Sequence, residues 1–214
     1  DALGNEVWST AIGKTSTSSL IKYDEEGVSV EIMPDDAGYV VACNRTYVQY
    51  STAGDPPAPI YTKIVLYQLD IAGVNISGGD GIELRSNATL PAPLPNAGAI
   101  STERVSDMLI DTFGGAISYV LTGYTNNISI LKPDPYADKR YDLTDIFTIR
   151  LNESFGQLWA NENLQYGFNG RDYGTSIQVV NDNNPATEPW YVVVGTTENE
   201  WDQLTGNFTF RNIA

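Results

Sequence analysis

The clearest alternation of hydrophobic and polar residues lies in the stretch PIYTKIVLYQLDIAGVNIS, residues 59–77. From Ile60 to Ile71, one set of alternating positions is aromatic or aliphatic except at Lys63, and the other set becomes polar after Leu66. Side chains of a strand point alternately to its two faces. The pattern therefore predicts a strand that is covered on both faces in its middle and on one face at its end.

Similar patterns predict that most of the chain forms strands, bounded by Gly, Pro, Asn and Asp turns. The further predicted strands are residues 27–33, 39–50, 82–84, 116–124, 127–131, 141–151, 175–180, 190–194 and 207–213. In residues 27–33, we expect Val28, Val30 and Ile32 to share one face. Residues 102–112 are the one helical candidate, because Val105 and Met108 are spaced by three residues and Leu109 follows.

These elements predict an all-β fold, an antiparallel β-sandwich of jelly-roll or immunoglobulin-like kind with at most one short helix. The N-terminal residues differ in composition from the rest of the chain. Residues 6–12 resemble a strand, and residues 13–19 are small and polar like a linker. We therefore divide the chain into an N-terminal strand and tether, residues 1–22, and a single β-sandwich domain, residues 23–214.

The N-terminal strand has two interpretations. It is either the first strand of its own sheet, or a strand that pairs with a neighbouring subunit, which would give head-to-tail fibres. In the second case Trp8 is the anchor. The residues expected at the subunit contact are Val7, Trp8, Ala11 and Ile12.

The charge balance argues against two classes of partner. The 214 residues include 27 Asp and Glu against 12 Lys and Arg, a formal charge of −15. An acid excess of this size repels phosphate backbones and anionic membranes, so we expect no nucleic-acid partner. No apolar run approaches the roughly 18 residues of a membrane span. The chain starts at Asp1, which is typical of a mature product whose signal segment has been removed.

The chain is rich in acceptor sites for N-linked glycans, which need Asn-X-Ser or Asn-X-Thr. These sites are Asn44, Asn75, Asn87, Asn127, Asn152 and Asn207. They predict a secreted glycoprotein, extracellular or at the cell surface. The lone Cys43 excludes an internal disulfide, so it is either a buried free thiol or a partner in a bond between chains.

The chain has no histidine, which removes the usual general base and every His-ligated metal centre. Carboxylate pairs remain as a catalytic option. Glu198, Glu200 and Asp202 would share a face in a strand, but the same residues read equally well as a solvated acidic loop. Glu25 and Glu26 form a second pair. We expect that the protein is not an enzyme and needs no cofactor.

Calcium is the metal that the composition favours, because Asp and Asn supply hard oxygen ligands. The candidate ligands are Asn181, Asp182 and Asn183, which Asn184 and Pro185 follow. This loop resembles the calcium-binding linker motif of cadherin repeats, although the Leu-Asp-Arg-Glu motif of that family is missing. An Asx-rich hairpin turn explains the same residues. A second oxygen-rich candidate comprises residues 133–138 with Asp142 and Asp145.

Exposed aromatics offer a different function, a sugar-stacking platform in a carbohydrate-binding module or lectin. The candidates are Trp8, Trp159, Trp190, Trp201, Tyr166 and Tyr173, and residues 158–173 also carry several Asn. In most folds such residues serve the core or a sheet edge. A secreted polysaccharide-degrading enzyme on a jelly roll is a third possibility.

In overall character, with Asp35-Asp36-Ala37-Gly38-Tyr39 as the local likeness, the chain resembles the secreted subunits of archaeal extracellular filaments and tubules, the thread and cannula kind. That resemblance implies a homo-polymer that assembles by donor-strand addition. It further implies glycans on the outside and calcium at subunit contacts. The N-terminal strand would then be the donor.

Overall fold

The structure is a computed structural model. It describes residues 8–15, 21–49, 58–84, 101–125, 144–160, 172–180 and 189–197. These residues form ten strands and two short 3-10 turns, with no α-helix among them. The strands are β1 (Ile21–Ile32), β2 (Tyr39–Gln49), β3 (Ala58–Leu69), β4 (Ile82–Glu83), β5 (Ser101–Asp111), β6 (Ser118–Thr125), β7 (Asp145–Asn152), β8 (Gln157–Ala160), β9 (Asp172–Val180) and β10 (Trp190–Thr197). The all-β prediction is confirmed.

Strands β1 to β8 form one sheet with the order β1-β2-β3-β5-β6-β7-β8, and β4 pairs with β3. All pairings are antiparallel except the short parallel contact that joins Tyr61 to Ser101 and Thr62 to Thr102. This contact divides the sheet into half A (β1–β4) and half B (β5–β8). Strands β9 and β10 form a separate antiparallel hairpin.

The inner faces of the two halves pack on one shared hydrophobic core. Half A contributes Val40, Ala42, Ile64 and Leu66, with Met33 after β1 and Leu84 after β4. Half B contributes Val105, Met108, Tyr119, Leu121, Phe147, Ile149 and Leu151, together with Phe155 of the β7–β8 turn. Burial of this apolar surface is what holds the halves together. The layered packing is consistent with an all-β sandwich.

The two halves repeat the same local plan. Each opens with a strand that carries a β-bulge, at Val28 in β1 and at Ser106 in β5. A 3-10 turn follows, and two successive residues in it have positive φ. These are Asp35 and Asp36 in half A and Gly114 and Gly115 in half B. Positive φ costs an L-residue about 1–2 kcal/mol, so Gly suits this turn better than Asp.

A second shared device is the turn after the third strand of each half. The Asp70 carboxylate accepts hydrogen bonds from the backbone N–H of Ala72 and Val74, at 2.9 and 2.8 Å. In half B, the Asn152 side-chain oxygen accepts bonds from residues two and four positions further on. This is an Asx turn in both cases. The position of positive φ is Gly73 in one half and Phe155 in the other.

The bulges explain two errors of the sequence-based assignment. The bulge at Ser106 places Val105 and Met108, three residues apart, on the same face of a strand. Their spacing therefore imitates a helix, and the predicted helix 102–112 is wrong, since the segment is β5. The bulge at Val28 turns that residue toward the core, while Val30 and Ile32 face outward. The expectation that all three share one face is also wrong.

Most other strand predictions agree with the described elements. Strand β3 is buried on both faces, since Ile64 and Leu66 face the shared core while Val65 and Tyr67 face a second cluster. This confirms the interpretation of residues 60–71. The predicted strands 127–131 and 207–213 lie outside the described residues.

The N-terminus departs from the predicted pattern. Residues 8–12 carry no strand, so the interpretation as a first strand of the chain's own sheet is not supported there. Strand β1 begins at Ile21, inside the predicted tether 1–22.

Candidate functional site

The segment of residues 8–14 lies on the outer face of half A. At its start, the Trp8 ring packs on Tyr39, with ring centroids 5.4 Å apart. The same ring covers Gly73, where an added Cβ would come within 2.5 Å of it. Trp8 thus sits over the Asx turn, and glycine at position 73 makes room for it.

The middle of the segment covers a small second core. Ile12 packs against Cys43, Val65 and Tyr67, which form a cluster on the side of half A that faces away from the shared core. Burial, reinforced by the charge of Glu25, raises the pKa of the Cys43 thiol to about 11. The predicted buried free thiol is confirmed. Its reactivity at neutral pH is low, because the thiolate is the nucleophile.

The end of the segment is held by charge. The backbone N–H of Lys14 donates to the Glu25 carboxylate at 3.1 Å, and the Lys14 ammonium lies 3.3 Å from Asp80. The same ammonium lies over the Tyr23 ring, 5.2 Å from its centroid. Residues 8–14 are therefore attached at three points across half A.

Beneath Lys14 lies a buried ionic network centred on Arg45, whose side chain is 0% exposed. Its guanidinium donates to Glu25 at 2.5 Å and to Glu83 at 2.6 Å. Further bonds go to the Tyr67 hydroxyl at 2.8 Å and to the backbone carbonyl of Asp80. The network joins β1, β2, β3 and β4, and a buried cation needs this set of acceptors.

Three tyrosines extend this network along neighbouring strands. Tyr23, Tyr47 and Tyr61 are successive cross-strand partners on β1, β2 and β3. Tyr47 meets Tyr23 edge to face at 4.9 Å and stacks on Tyr61 at 4.2 Å. The Tyr47 hydroxyl donates to Glu83. Burial, together with this carboxylate, raises the pKa of Tyr47 above its ordinary value.

The outer face of half B is covered differently, by the β9–β10 hairpin. The Asp107 carboxylate accepts bonds from the Ser176 hydroxyl at 2.9 Å and the Ile177 N–H at 3.0 Å. The Asp111 carboxylate accepts a bond from the Tyr191 hydroxyl at 2.6 Å and lies 3.2 Å from Arg150. Two carboxylates of β5 thus hold one strand each of the hairpin.

The opposite face of the hairpin is apolar and exposed. We call Val180, Trp190, Val192 and Val194 the hairpin patch. Trp190 is 73% exposed and pairs with Val180 across the hairpin. On the outer face of half A, Val30 and Ile32 are exposed, while their cross-strand partners Val41 and Tyr39 are half-buried. We call these four residues the half A patch. Contiguous exposed apolar side chains are typical of contact surfaces.

The predicted glycan sites have different environments. Asn44 is 3% exposed, and its carboxamide donates to the Val105 carbonyl and accepts from the Val105 N–H, at 2.9 and 2.8 Å. A glycan on that nitrogen is incompatible with this contact, so the predicted glycan site at Asn44 conflicts with the structure. Asn75 is half-buried in the turn after β3, and Asn152 is exposed. Asn87, Asn127 and Asn207 lie outside the described residues.

The calcium candidates Asn181, Asp182 and Asn183 lie outside the described residues, as do residues 133–138 and Asp142. The same holds for Glu198, Glu200 and Asp202. Within the part of the chain that the structure describes, no group of three or more Cys, Asp or Glu side chains is arranged to hold a metal ion. Calcium therefore stays a prediction.

The other candidate residues are dispersed. Glu25 points into the Arg45 network, whereas the neighbouring Glu26 is exposed and pairs with Arg104, so these two carboxylates do not face one another. Tyr173 packs edge to face on Tyr124 at 4.8 Å. Trp8 and Trp190 lie on opposite outer layers. The Trp159 side chain, Tyr166 and Trp201 are outside what is described.

Sequence reasoning missed the Arg45 network and the carboxylates that hold the hairpin. The sequence carries one signal for the network. In the alternation of β2, the charged Arg45 occupies a position whose neighbours on the same face are buried. No helix in the described ranges is long and apolar enough to cross a membrane. No protein-family model matches the chain, and the search of curated proteins found no match. The functional proposal therefore depends on geometry and on the glycan signals.

Proposed function

We propose that this protein is the structural subunit of an extracellular, glycosylated filament or tubule, which assembles head to tail by β-strand addition. The observation that carries the proposal is that residues 8–12 are attached to the fold but belong to no strand. They are attached to half A by side-chain contacts of Trp8 and Ile12 while carrying no strand of their own. A segment that belongs to no sheet of its own chain can extend a sheet edge of a neighbouring copy without breaking a strand pairing.

The flanking sequence supports exchange of this segment between copies. Residues 15–19 are Thr and Ser only, a composition that favours an extended, adaptable link. A segment that already has a site on its own chain can occupy the equivalent site or edge in a second copy, which is the logic of domain swapping. Head-to-tail repetition of such an exchange produces an open fibre rather than a closed dimer.

Secretion and glycosylation belong to the same proposal. Asn75 and Asn152 lie in the two turns that follow β3 and β7, where a glycan would project from the surface. Calcium bound by Asn181, Asp182 and Asn183 would bridge acidic surfaces of adjacent copies, since the formal charge of −15 otherwise makes copies repel one another. No catalytic step is part of the proposal.

The decisive experiment is deletion of residues 1–13, followed by negative-stain imaging and sedimentation with and without calcium. We expect the full chain to form long polymers and the deleted chain to remain dispersed. Cys43 supplies a second readout, because Ile12 covers it. A thiol reagent should label Cys43 faster in the deleted chain, and adding a peptide of residues 1–13 should restore protection. A full chain that stays monomeric at high concentration with calcium contradicts the proposal.

A carbohydrate-binding module is the second candidate, and the row formed by Tyr23, Tyr47 and Tyr61 favours it. Aromatic rings in line across a sheet suit successive sugar rings. Tyr23 and Tyr61 are half-buried, and sugar binding would have to displace Lys14 from the Tyr23 ring. Binding to a panel of polysaccharides, lost in Tyr23→Ala and kept in Tyr173→Ala, would support this function. Equal binding by both variants would exclude the tyrosine row as the site.

A further inference from the structure

The two apolar patches lie on opposite sides of the folded chain. The half A patch is on the side of half A that faces away from the shared core, because Val41 packs with the outer cluster rather than with the core. The hairpin patch faces away from half B, because Tyr191 and Ile177, on the other side of the hairpin, contact β5. The layers therefore follow the order half A, shared core, half B and hairpin. The half A patch lies on the outer side of the first layer, and the hairpin patch lies on the outer side of the last.

Both patches are free of charge. The outward positions of the hairpin are Val180, Gln178, Trp190, Val192, Val194 and Thr196, and none is ionisable. The half A patch consists of two valines, one isoleucine and one tyrosine. In a chain with a formal charge of −15, two copies can approach closely only where their surfaces carry no net repulsion. The two patches are such surfaces.

The shape of the patches indicates what covers them. β-branched side chains on paired strands present a surface that can pack against another sheet at about 10 Å separation. A second copy of this chain carries the complementary surface, a sheet face rich in Val and Ile. Recognition by a basic partner is disfavoured, because neither patch offers a carboxylate.

We propose that the hairpin patch of one copy packs on the half A patch of the next copy, a heterologous sheet-on-sheet contact that repeats along the layer axis. Because the patches face opposite directions, one contact leaves a free patch at each end and the arrangement does not close. This contact goes beyond strand addition, since it requires no exchange of residues 6–12. Four side chains on each side bury less than the roughly 800 Å² per partner of a standard interface, so the isolated contact is weak.

Single-patch variants test the proposal in the full-length protein at high concentration. Ile32→Asp places a carboxylate in the half A patch, and Val194→Asp places one in the hairpin patch. Each should weaken self-association at least about tenfold, because an unpaired carboxylate would be buried in the contact. Leu158→Asp is the matched control, since Leu158 is 54% exposed on β8 and outside both patches. It adds the same charge and should associate like wild type.

Mixing the two patch variants tests whether the hairpin patch of one copy binds the half A patch of another. An equimolar mixture of Ile32→Asp and Val194→Asp retains one intact pair of patches, so it should form 1:1 dimers that neither variant forms alone. The neutral variants Ile32→Asn and Val194→Asn should behave in the same way, and circular dichroism checks that all of them fold. To keep the N-terminal segment out of the readout, the mixture is repeated with residues 1–13 deleted from both variants. Each deleted variant is also measured alone, because the deletion uncovers Tyr39 and the Cys43 cluster.

The outcomes separate the two proposals. Mixed dimers that persist after deletion of residues 1–13 support the patch contact whether or not strand addition occurs. Patch variants that polymerise like wild type, mixtures without dimers, or association that weakens as salt is added overturn the patch contact. In that case, loss of polymers on deletion of residues 1–13 would still support strand addition.

Discussion

Half A and half B share their local plan, yet their outer faces are covered in different ways. Half A buries Arg45 in an ionic network and is crossed by residues 8–14. Half B is covered by the β9–β10 hairpin, which Asp107 and Asp111 hold. One outer face thus depends on a buried cation and the other on two carboxylates. A repeated strand plan does not determine what packs outside it.

The largest expected effect concerns the cation of half A. Arg45→Met leaves Glu25 and Glu83 without their cationic partner, so we expect the free energy of unfolding to fall by about 3–5 kcal/mol. Urea denaturation measures it. Arg104→Met is the control, because in the Arg104–Glu26 pair the Glu26 side chain is exposed, and the pair should contribute at most about 1 kcal/mol. Equal losses in the two variants would show that the network is not a stabilising centre.

The corresponding change in half B should cost less. Asp111→Ala removes the acceptor of Tyr191 and the partner of Arg150, and we expect a loss of about 2–3 kcal/mol. Hydrogen exchange should become faster in β10, while the exchange of β2 and β3 stays slow. Tyr191→Phe removes only the hydroxyl and should cost about 1 kcal/mol. Unchanged exchange in β10 after Asp111→Ala would contradict the proposed role of Asp111.

A smaller effect is expected at the Asx turn of half A. Gly73 has φ of 81°, and Trp8 occupies the space beside it. Gly73→Ala should therefore cost about 1–2 kcal/mol and displace Trp8. The displacement is measured as a change in tryptophan fluorescence. The change should disappear when Gly73→Ala is combined with Trp8→Phe. Gly78→Ala is the control, because Gly78 has φ of 91° with no atom near its added Cβ. A fluorescence change in the control as well would argue against contact between Trp8 and Gly73.

The smallest expected effect concerns Glu31 of β1, which lies near Asp107 of β5. Burial, with the nearby charge of Asp107, raises the pKa of Glu31 above its ordinary value. The folded protein therefore binds the proton more tightly than the unfolded chain does, and stability declines as the pH rises from the unfolded pKa through the folded one. Glu31→Gln should gain at most about 0.5 kcal/mol at pH 7 and nothing at pH 3.

Thermal unfolding across this pH range measures the difference. Asp24→Asn removes the same charge from an exposed position of β1 and controls for general relief of negative charge. If it reproduces the pH-dependent gain of Glu31→Gln, the effect does not come from the burial of Glu31 or from the nearby charge of Asp107.

Strands β2, β3, β6, β7, β9 and β10 were predictable to within a few residues, because alternation is a local property of the chain. The first six residues of β1 and the short β8 were not predicted. The two bulges defeated the same method. One extra residue at Ser106 converts strand alternation into a spacing of three, and the bulge at Val28 turns Val30 and Ile32 to the outer face. Sequence patterns do not distinguish such a bulge from a helical turn.

Candidate sites were less predictable than strands. A sequon specifies which asparagine a glycan can modify, but burial decides whether the amide is accessible, and Asn44 binds a backbone 61 residues away. Asp107 and Asp111 lie on the face of β5 opposite Val105 and Met108. That they hold the hairpin was not foreseeable, because Tyr191 lies 80 residues further on.

By itself, the sequence determined the all-β class, the double burial of β3 and the burial of Cys43, because each follows from local alternation and from the free energy of removing apolar side chains from water. Only the tertiary structure decided which face of each strand is the inner one, how Arg45 finds its acceptors, and where the two uncharged patches lie. These features depend on contacts between residues that are distant in the chain, and no local pattern encodes their geometry.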